Sequence, residues 1–261
     1  MNLEKIIKEA LPALQKTGTW IQNEAQSFDL NKVVLKGKND LVSYVDKEAE
    51  KKLVIDLKSI LPEAGFITEE DTADDDQKEF TWIVDPLDGT TNFIHGLPVY
   101  SISVGLLQGK DIVGGIVYEL NKKELFYAWK GGGVFLNDNP IHVAPTQDLS
   151  NSLLATGFPY YQFDKLDNYL AIIKDLMMHS HGLRRLGSAA VDLAYVACGR
   201  YEGFFEYNLN AWDIAAGILL VQEAGGSVTD FSGGNNALFG RELVAGGDIH
   251  NDLLKSIQKY W

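Results

Sequence analysis

The segment from Phe80 to Asn92, FTWIVDPLDGTTN, ends an apolar run on Asp85, places a second acid at Asp88 and continues into a Gly-Thr-Thr turn. The aromatic and β-branched residues read as a buried strand. Pro86 cannot continue a strand ladder, so it stiffens the turn and lets Asp85 and Asp88 swing toward one point. Carboxylate oxygens gathered there suit a hard cation such as Mg²⁺. Gly89, Thr90 and Thr91 offer backbone N–H groups, which make a phosphate seat if a helix or turn begins there. Asp-Gly turns also occur simply to finish a strand; the flanking apolar strand and the pair of hydroxyls favour chemistry.

Two further acidic stations stand elsewhere. Glu69 and Glu70 follow the apolar run GFIT, and Asp213 opens the helical pattern NAWDIAAGILL, where a first-turn acid is also favoured by the helix dipole alone. Two carboxylates about 5 Å apart repel by about 3 kcal/mol at an effective dielectric near 20, so a cluster of them needs cations or protons. The stretch from Glu69 to Glu79 holds seven acids and one lysine, Lys78. Most of it (Asp71, Asp74, Asp75, Asp76, Glu79) reads as a solvated loop, with the pair next to the strand as the ligand candidates.

The elements that must position these acids fall into two halves. Residues 3–27 and 46–61 show helical periodicity and are expected to precede any sheet. The runs FIT, FTWIV, VYSISVGLLQ, IVGGIVYEL, ELFYAW and GVFL, separated by tight turns, then imply an antiparallel sheet. Beyond Pro145 the order alternates: strand LLATGF, helices 167–178 and 189–198, strand GFFEY, helix 211–224, strands SVTDF and ELVAGG. Two layered subdomains follow, 1–147 and 148–261, joined without a long linker.

Composition bounds the partners. The chain has 261 residues, 46% hydrophobic and 23% charged, with a net charge of −13. That length buries roughly three quarters of the unfolded surface. The acidic balance argues against nucleic acid as the main partner and against an anionic membrane surface. A single cysteine, Cys198, excludes an internal disulfide framework and reads as a structural thiol. No run approaches 18 uninterrupted apolar residues, and the N-terminal helix carries charges throughout, so a cytoplasmic location is expected.

Taken together, Glu69-Glu70, WIVDPLDGTTNF (Trp82 to Phe93) and WDIAAGILLVQEAGG (Trp212 to Gly226) resemble the inositol monophosphatase family of magnesium-dependent, lithium-sensitive phosphatases. The resemblance runs from the Lys36 to Asp46 segment to Gly226 and implies a layered α-β-α-β-α sandwich, mixing α+β and α/β order. It implies that Glu69, Asp85 and the Leu87 carbonyl hold one Mg²⁺ and that Asp85, Asp88 and Asp213 hold a second. Glu69 would help place a third ion through water, and Asp46 paired with Thr90 would orient the attacking water. Gly89 and Thr90 would donate N–H groups to the phosphate. Gly187, Ser188 and Ala189 would line the sugar or polyol, with Asp88 and Asp213 also on the substrate side and Glu206 on its hydroxyls. Asp71 stands where many members have Ser, and the Lys36 to Asp40 loop is one residue tighter than in some. A homodimer is implied as well.

The expected activity is hydrolysis of a phosphate monoester, inositol monophosphate or a similar polyol phosphate, by direct water attack. Fructose 1,6-bisphosphate, 3′-phosphoadenosine 5′-phosphate, NADP and histidinol phosphate are the alternative substrates, and a non-catalytic protein keeping the fold is the alternative class. Glu206 favours a hydroxyl-rich substrate, because a carboxylate accepts hydrogen bonds from vicinal hydroxyls and repels a second phosphate. None of the five histidines has a nucleophile-elbow or HExxH spacing. His179-Ser180-His181 reads as surface, Gly131-Gly132-Gly133 as a turn, and Tyr160 and Tyr161 as packing or rim residues.

Overall fold

A computed structural model describes residues 1–27, 34–37, 40–73, 78–159 and 163–261, the strand residues 34–37 and 40–42 through their backbone. Lys38, Asn39, Asp74 to Asp76, Tyr160 and Tyr161 lie outside the described residues.

Helix α1 (Leu3–Gln26) turns its apolar stripe, Ile7, Leu14 and Ile21, inward. A short antiparallel hairpin, β1 (Val34–Gly37) and β2 (Asp40–Val42), follows. It lies between the two N-terminal helices that the sequence pattern places ahead of any sheet. Helix α2 (Tyr44–Ile60) then starts two residues before the expected position, because Ser43 is its N-cap and Asp46 the third residue of a capping box.

Seven strands form the large sheet: β3 (Gly65–Thr68), β4 (Phe80–Asp88), β5 (Ser101–Gln108), β6 (Asp111–Glu119), β7 (Glu124–Trp129), β8 (Val134–Leu136) and β9 (Asn139–Pro140). Helix α3 (Thr90–Ile94) sits between β4 and β5. The pairing is antiparallel as expected except between β3 and β4, which run parallel. The long 69–79 connection is the physical reason: it returns the chain to the same end of the sheet, which a tight hairpin turn cannot do.

The second sheet holds β10 (Leu153–Thr156), β11 (Gly182–Arg184), β12 (Gly203–Tyr207), β13 (Ser227–Thr229) and β14 (Glu242–Gly246), in the order β11-β10-β12-β14-β13. Interleaved with them are helices α4 (Leu166–His179), α5 (Ala189–Ala197), α6 (Ala211–Glu223) and α7 (Ala237–Gly240), and α8 (His250–Gln258) closes the chain.

Strand alternation sorts the side chains into layers. Trp82 and Val84 face α1 and α2, whereas Ile83 between them packs with Ala211 and Ala215 of α6. In the smaller sheet Phe204 and Ala245 face α5 and α6, and Phe205 and Val244 face α4 and α8. The result is the α-β-α-β-α sandwich. Helix α6 lies close on the large sheet because glycines face it. A Cβ at Gly105 would stand 2.8 Å from the Ala215 Cβ, and one at Gly115 would stand 2.7 Å from the Ala216 carbonyl oxygen. That close seating carries Asp213, at the start of α6, to the end of β4.

Candidate active site

Asp85 opposes Ser103 and Asp88 opposes Ser101, so three steps along β4 match two along β5, and Pro86 and Leu87 leave the ladder in a bulge. The Leu87 N–H turns back to donate to Asp85 Oδ1 at 2.9 Å. Gly89 follows with φ 97° and is the N-cap of α3. A Cβ there would meet the Val99 carbonyl at 3.0 Å and the Gly187 carbonyl at 3.2 Å, so both conformation and space call for glycine. Thr90 and Thr91 open the first turn of α3 at the cavity wall.

Thr90 Oγ1 lies 2.9 Å from Asp46 Oδ1 and 3.0 Å from the Leu87 carbonyl oxygen. Asp46 is fully buried, and its Oδ2 accepts from the Ser43 N–H at 2.8 Å and the Ser43 hydroxyl at 2.6 Å. Asp213 repeats this arrangement in α6, with Oδ2 accepting the Asn210 N–H at 2.6 Å. Both acids therefore serve as capping-box acids through one oxygen, and the capping and site readings of Asp213 are compatible.

The second sheet and α5 supply the opposite wall. Asp88 Oδ2 accepts from the Ser188 hydroxyl at 2.6 Å and the Ala190 N–H at 2.8 Å. Ser188 is itself the N-cap of α5, so this helix start locks Asp88 in place. Glu69 follows β3, and its N–H donates to the Val84 carbonyl at 3.2 Å, which extends the parallel pairing and sets Glu69 beside Asp85. Glu206 on β12 lies against Gly157: a Cβ there would come within 2.0 Å of the Glu206 carboxyl carbon.

One cavity of about 380 Å³ is lined by Glu69, Asp85, Leu87, Asp88, Thr90 and Asp213. Its wall continues through Gly89, Gly187, Ser188, Ala189 and Glu206; among the expected residues Asp46 and Glu70 are absent from the lining. Sequence reading had not singled out Arg185 and Asp192, which also line the cavity. The sequence signal for Arg185 is the Arg184-Arg185 pair just before Gly187, of which Arg185 lines the cavity. Asp192 looks like any first-turn acid, yet it is 1% exposed and its Oδ1 is buried without a hydrogen-bond partner.

Burial and mutual repulsion dominate the electrostatics. Burial first, then the charges of Glu69, Asp88 and Asp213, hold the Asp85 carboxyl well above the usual carboxylate range. Burial raises Asp88 to about 6 against its hydrogen bonds from Ser188 and Ala190. Burial and the Asp88 charge raise Asp213 to about 7. Glu206 and Asp192 are likewise pushed well up, by burial first.

An all-oxygen, net-negative donor set of this kind fits hard divalent cations and fits neither zinc-type nor soft-metal chemistry. The acids converge without closing: among the described residues no three His, Cys, Asp or Glu side chains form a finished ligand group. The remaining motifs fall outside. No histidine lines the cavity. The glycine turn at 131–133 donates two N–H groups to Glu223 at 2.8 and 2.9 Å, and Cys198 is a half-buried free thiol. No helix among the described residues is long and apolar enough to cross a membrane.

Known proteins share this arrangement of elements. An inositol-1-monophosphatase of Mesorhizobium japonicum is 40% identical over 261 residues, covering 99% of this chain and 98% of that protein. Nus factor SuhB of Escherichia coli K12 is 40% identical over 246 residues, covering 94% of this chain and 92% of that protein. The crystal structure of extragenic suppressor protein suhB from Bartonella henselae matches with a TM-score of 0.92 at 39% identity, covering 98% of this chain and 99% of that one. The sequence profile of the inositol monophosphatase family spans residues 2–261, and with full-length relatives at this identity the chain belongs to that family.

Proposed function

We propose that the chain is a Mg²⁺-dependent phosphatase that hydrolyses inositol monophosphate or a similar polyol phosphate by direct attack of water. The observation that carries this reading is the Asp46–Thr90 contact at 2.9 Å, made beside four converging carboxylates. Glu69, Asp85 and the Leu87 carbonyl would hold one Mg²⁺, and Asp85, Asp88 and Asp213 a second, with Glu69 helping to place a third through water. Bound there, the ions supply positive charge to the phosphoryl oxygens and lower the pKa of coordinated water from about 15.7 toward neutrality.

The chain's own residues supply orientation and proton handling. A threonine hydroxyl has one proton; donated to ionised Asp46, it leaves the Thr90 lone pairs to receive a proton from the attacking water. With the proton on Asp46, Asp46 donates to Thr90 and Thr90 donates to the Leu87 carbonyl at 3.0 Å. Both states of the relay are hydrogen-bonded. The water oxygen bonds to phosphorus, the ester P–O bond breaks, and the leaving oxygen takes a proton from a solvent water to depart as the alcohol, while Asp46 returns its proton to solvent. Gly89 and Thr90 N–H groups seat the phosphate.

Substrate choice falls to the opposite wall. The Ser188 hydroxyl is spent on Asp88, so Gly187 to Ala189 shape the polyol site through backbone and contour. Glu206, with Asp88 and Asp213 nearby, reads vicinal hydroxyls and disfavours the bisphosphate and dinucleotide alternatives. Homodimerisation, a cytoplasmic location, lithium inhibition and the 147/148 division belong to the same proposal.

The relatives called Nus factor SuhB favour a second reading, a role apart from catalysis. Intact Glu69, Asp85, Asp88, Thr90 and Asp213 weigh against a purely non-catalytic chain, and the net charge of −13 weighs against nucleic acid as its main partner. Purified protein assayed with Mg²⁺ against a phosphate-ester panel separates the readings: turnover of inositol monophosphate supports catalysis, and no turnover of any ester contradicts it.

A further inference from the structure

Glu50 takes no part in the chemistry above, yet it is a fully buried acid one helical turn beyond Asp46 on α2. Its Oε2 accepts the Glu70 N–H at 2.8 Å, and its Oε1 accepts both the Thr72 N–H and the Thr72 hydroxyl at 2.8 Å. Asp71, between these two donors, has φ 53°, in the left-handed region that a non-glycine residue seldom adopts. Successive N–H groups folded around a left-handed residue make an anion-binding concavity, and here the anion is Glu50.

A buried carboxylate is a poor way to gain stability, since an apolar side chain could pack the same space without the cost of desolvation. What it provides is geometry. The Glu69 N–H is tied to the Val84 carbonyl, one residue before Asp85, and the next N–H, that of Glu70, is tied to Glu50. The backbone bearing Glu69 is thus pinned between the strand that carries Asp85 and the helix that carries Asp46. We propose that Glu50 is a positioning residue that holds Glu69 in metal-binding register. One helix face, Asp46 and Glu50, would then set both the water-orienting pair and the first metal ligand. This inference rests on the reading of Glu69 as a Mg²⁺ ligand.

The test is Glu50→Gln, which keeps the size of the side chain but leaves one acceptor oxygen where two serve and turns an NH₂ toward an N–H donor. Thr72→Val, which removes the hydroxyl donor alone, carries the test if Glu50→Gln does not fold. Mg²⁺ affinity is measured by calorimetry and amide exchange at Glu70 and Thr72 by NMR or mass spectrometry. The Glu50 variant should lose about 10-fold or more in Mg²⁺ affinity, the scale typical when a residue supporting a metal ligand is changed. Exchange at both amides should quicken, and Thr72→Val should show the same changes in smaller measure. Unchanged Mg²⁺ affinity in the variants, against a wild type that binds Mg²⁺, overturns the inference alone. A wild type that binds no Mg²⁺ overturns the metal reading and the inference with it.

Discussion

Thr90 and Asp46 are 44 residues apart in the chain, and their side-chain oxygens meet at 2.9 Å. Neither end of this contact is adjustable. Asp46 is fixed by its capping box with Ser43, and Thr90 by its place in the first turn of α3. A hydroxyl held this way can orient a water for attack without reorganising, which is where a proton relay gains its rate.

Thr90→Ala should therefore lower kcat far more than it raises KM, because the backbone N–H proposed as a phosphate seat survives and only the hydroxyl is lost. The expected loss is about 10² to 10⁴ in rate. Asp46→Asn should show a similar defect, and the double variant should be little worse than either single. Steady-state kinetics of the three variants check this; losses that multiply, or a defect confined to KM, would show that the pair does not handle the water's proton.

Asp85→Asn should be the most damaging change among the acids, since Asp85 is the one carboxylate proposed as a direct ligand of two ions. Asp71→Asn should be mild: Asp71 is exposed and does not line the site cavity, and Asn accepts its φ of 53° as readily. Mg²⁺ titrations of activity compare the two, and equal effects would refute the ligand assignment.

The cavity-lining acids were legible because DPLDG sets two of them beside a bulge and a positive-φ glycine, and WDIAAG sets a third at a helix start. The layered order was legible from periodicity. What stayed hidden depends on distance across the fold. Nothing in GFIT and FTWIV tells a parallel from an antiparallel pair, because both strands are apolar on both faces. The hairpin at 34–42 is too short and polar to announce itself, and α8 carries its buried apolar residues, Leu253 and Ile257, among mostly polar ones. Asp192 and Glu50 read as ordinary helix acids, since burial, an unpartnered oxygen and a carboxylate that accepts three hydrogen bonds are tertiary facts.

Stability without metal should fall as pH rises. Asp88 and Asp213 titrate at about 6 and about 7 when folded, against about 3.9 in an unfolded chain. Between these values the folded state binds more protons, so its stabilising contribution is complete below about pH 4 and is lost as pH rises through 6 to 7. Thermal unfolding in chelator should show a falling Tm from pH 5 to 8, and Asp213→Asn should flatten the slope. A slope unchanged in that variant would contradict the assignment.

Gly157→Ala tests the polyol wall. The added Cβ would stand 2.0 Å from the Glu206 carboxyl carbon and must displace it. KM for inositol monophosphate should rise by about 10-fold or more, the scale of one lost charged hydrogen bond, with a smaller change for a simple aryl phosphate that has no hydroxyls to read. Equal changes for both substrates would place Glu206 outside hydroxyl recognition.

The most direct measurement is phosphate release from inositol monophosphate by the purified chain, with Mg²⁺, after exhaustive chelation, and after Mg²⁺ is restored. Turnover that disappears on chelation and returns with Mg²⁺ is the predicted result. Undiminished hydrolysis without any divalent cation, or none with Mg²⁺ present, would contradict it.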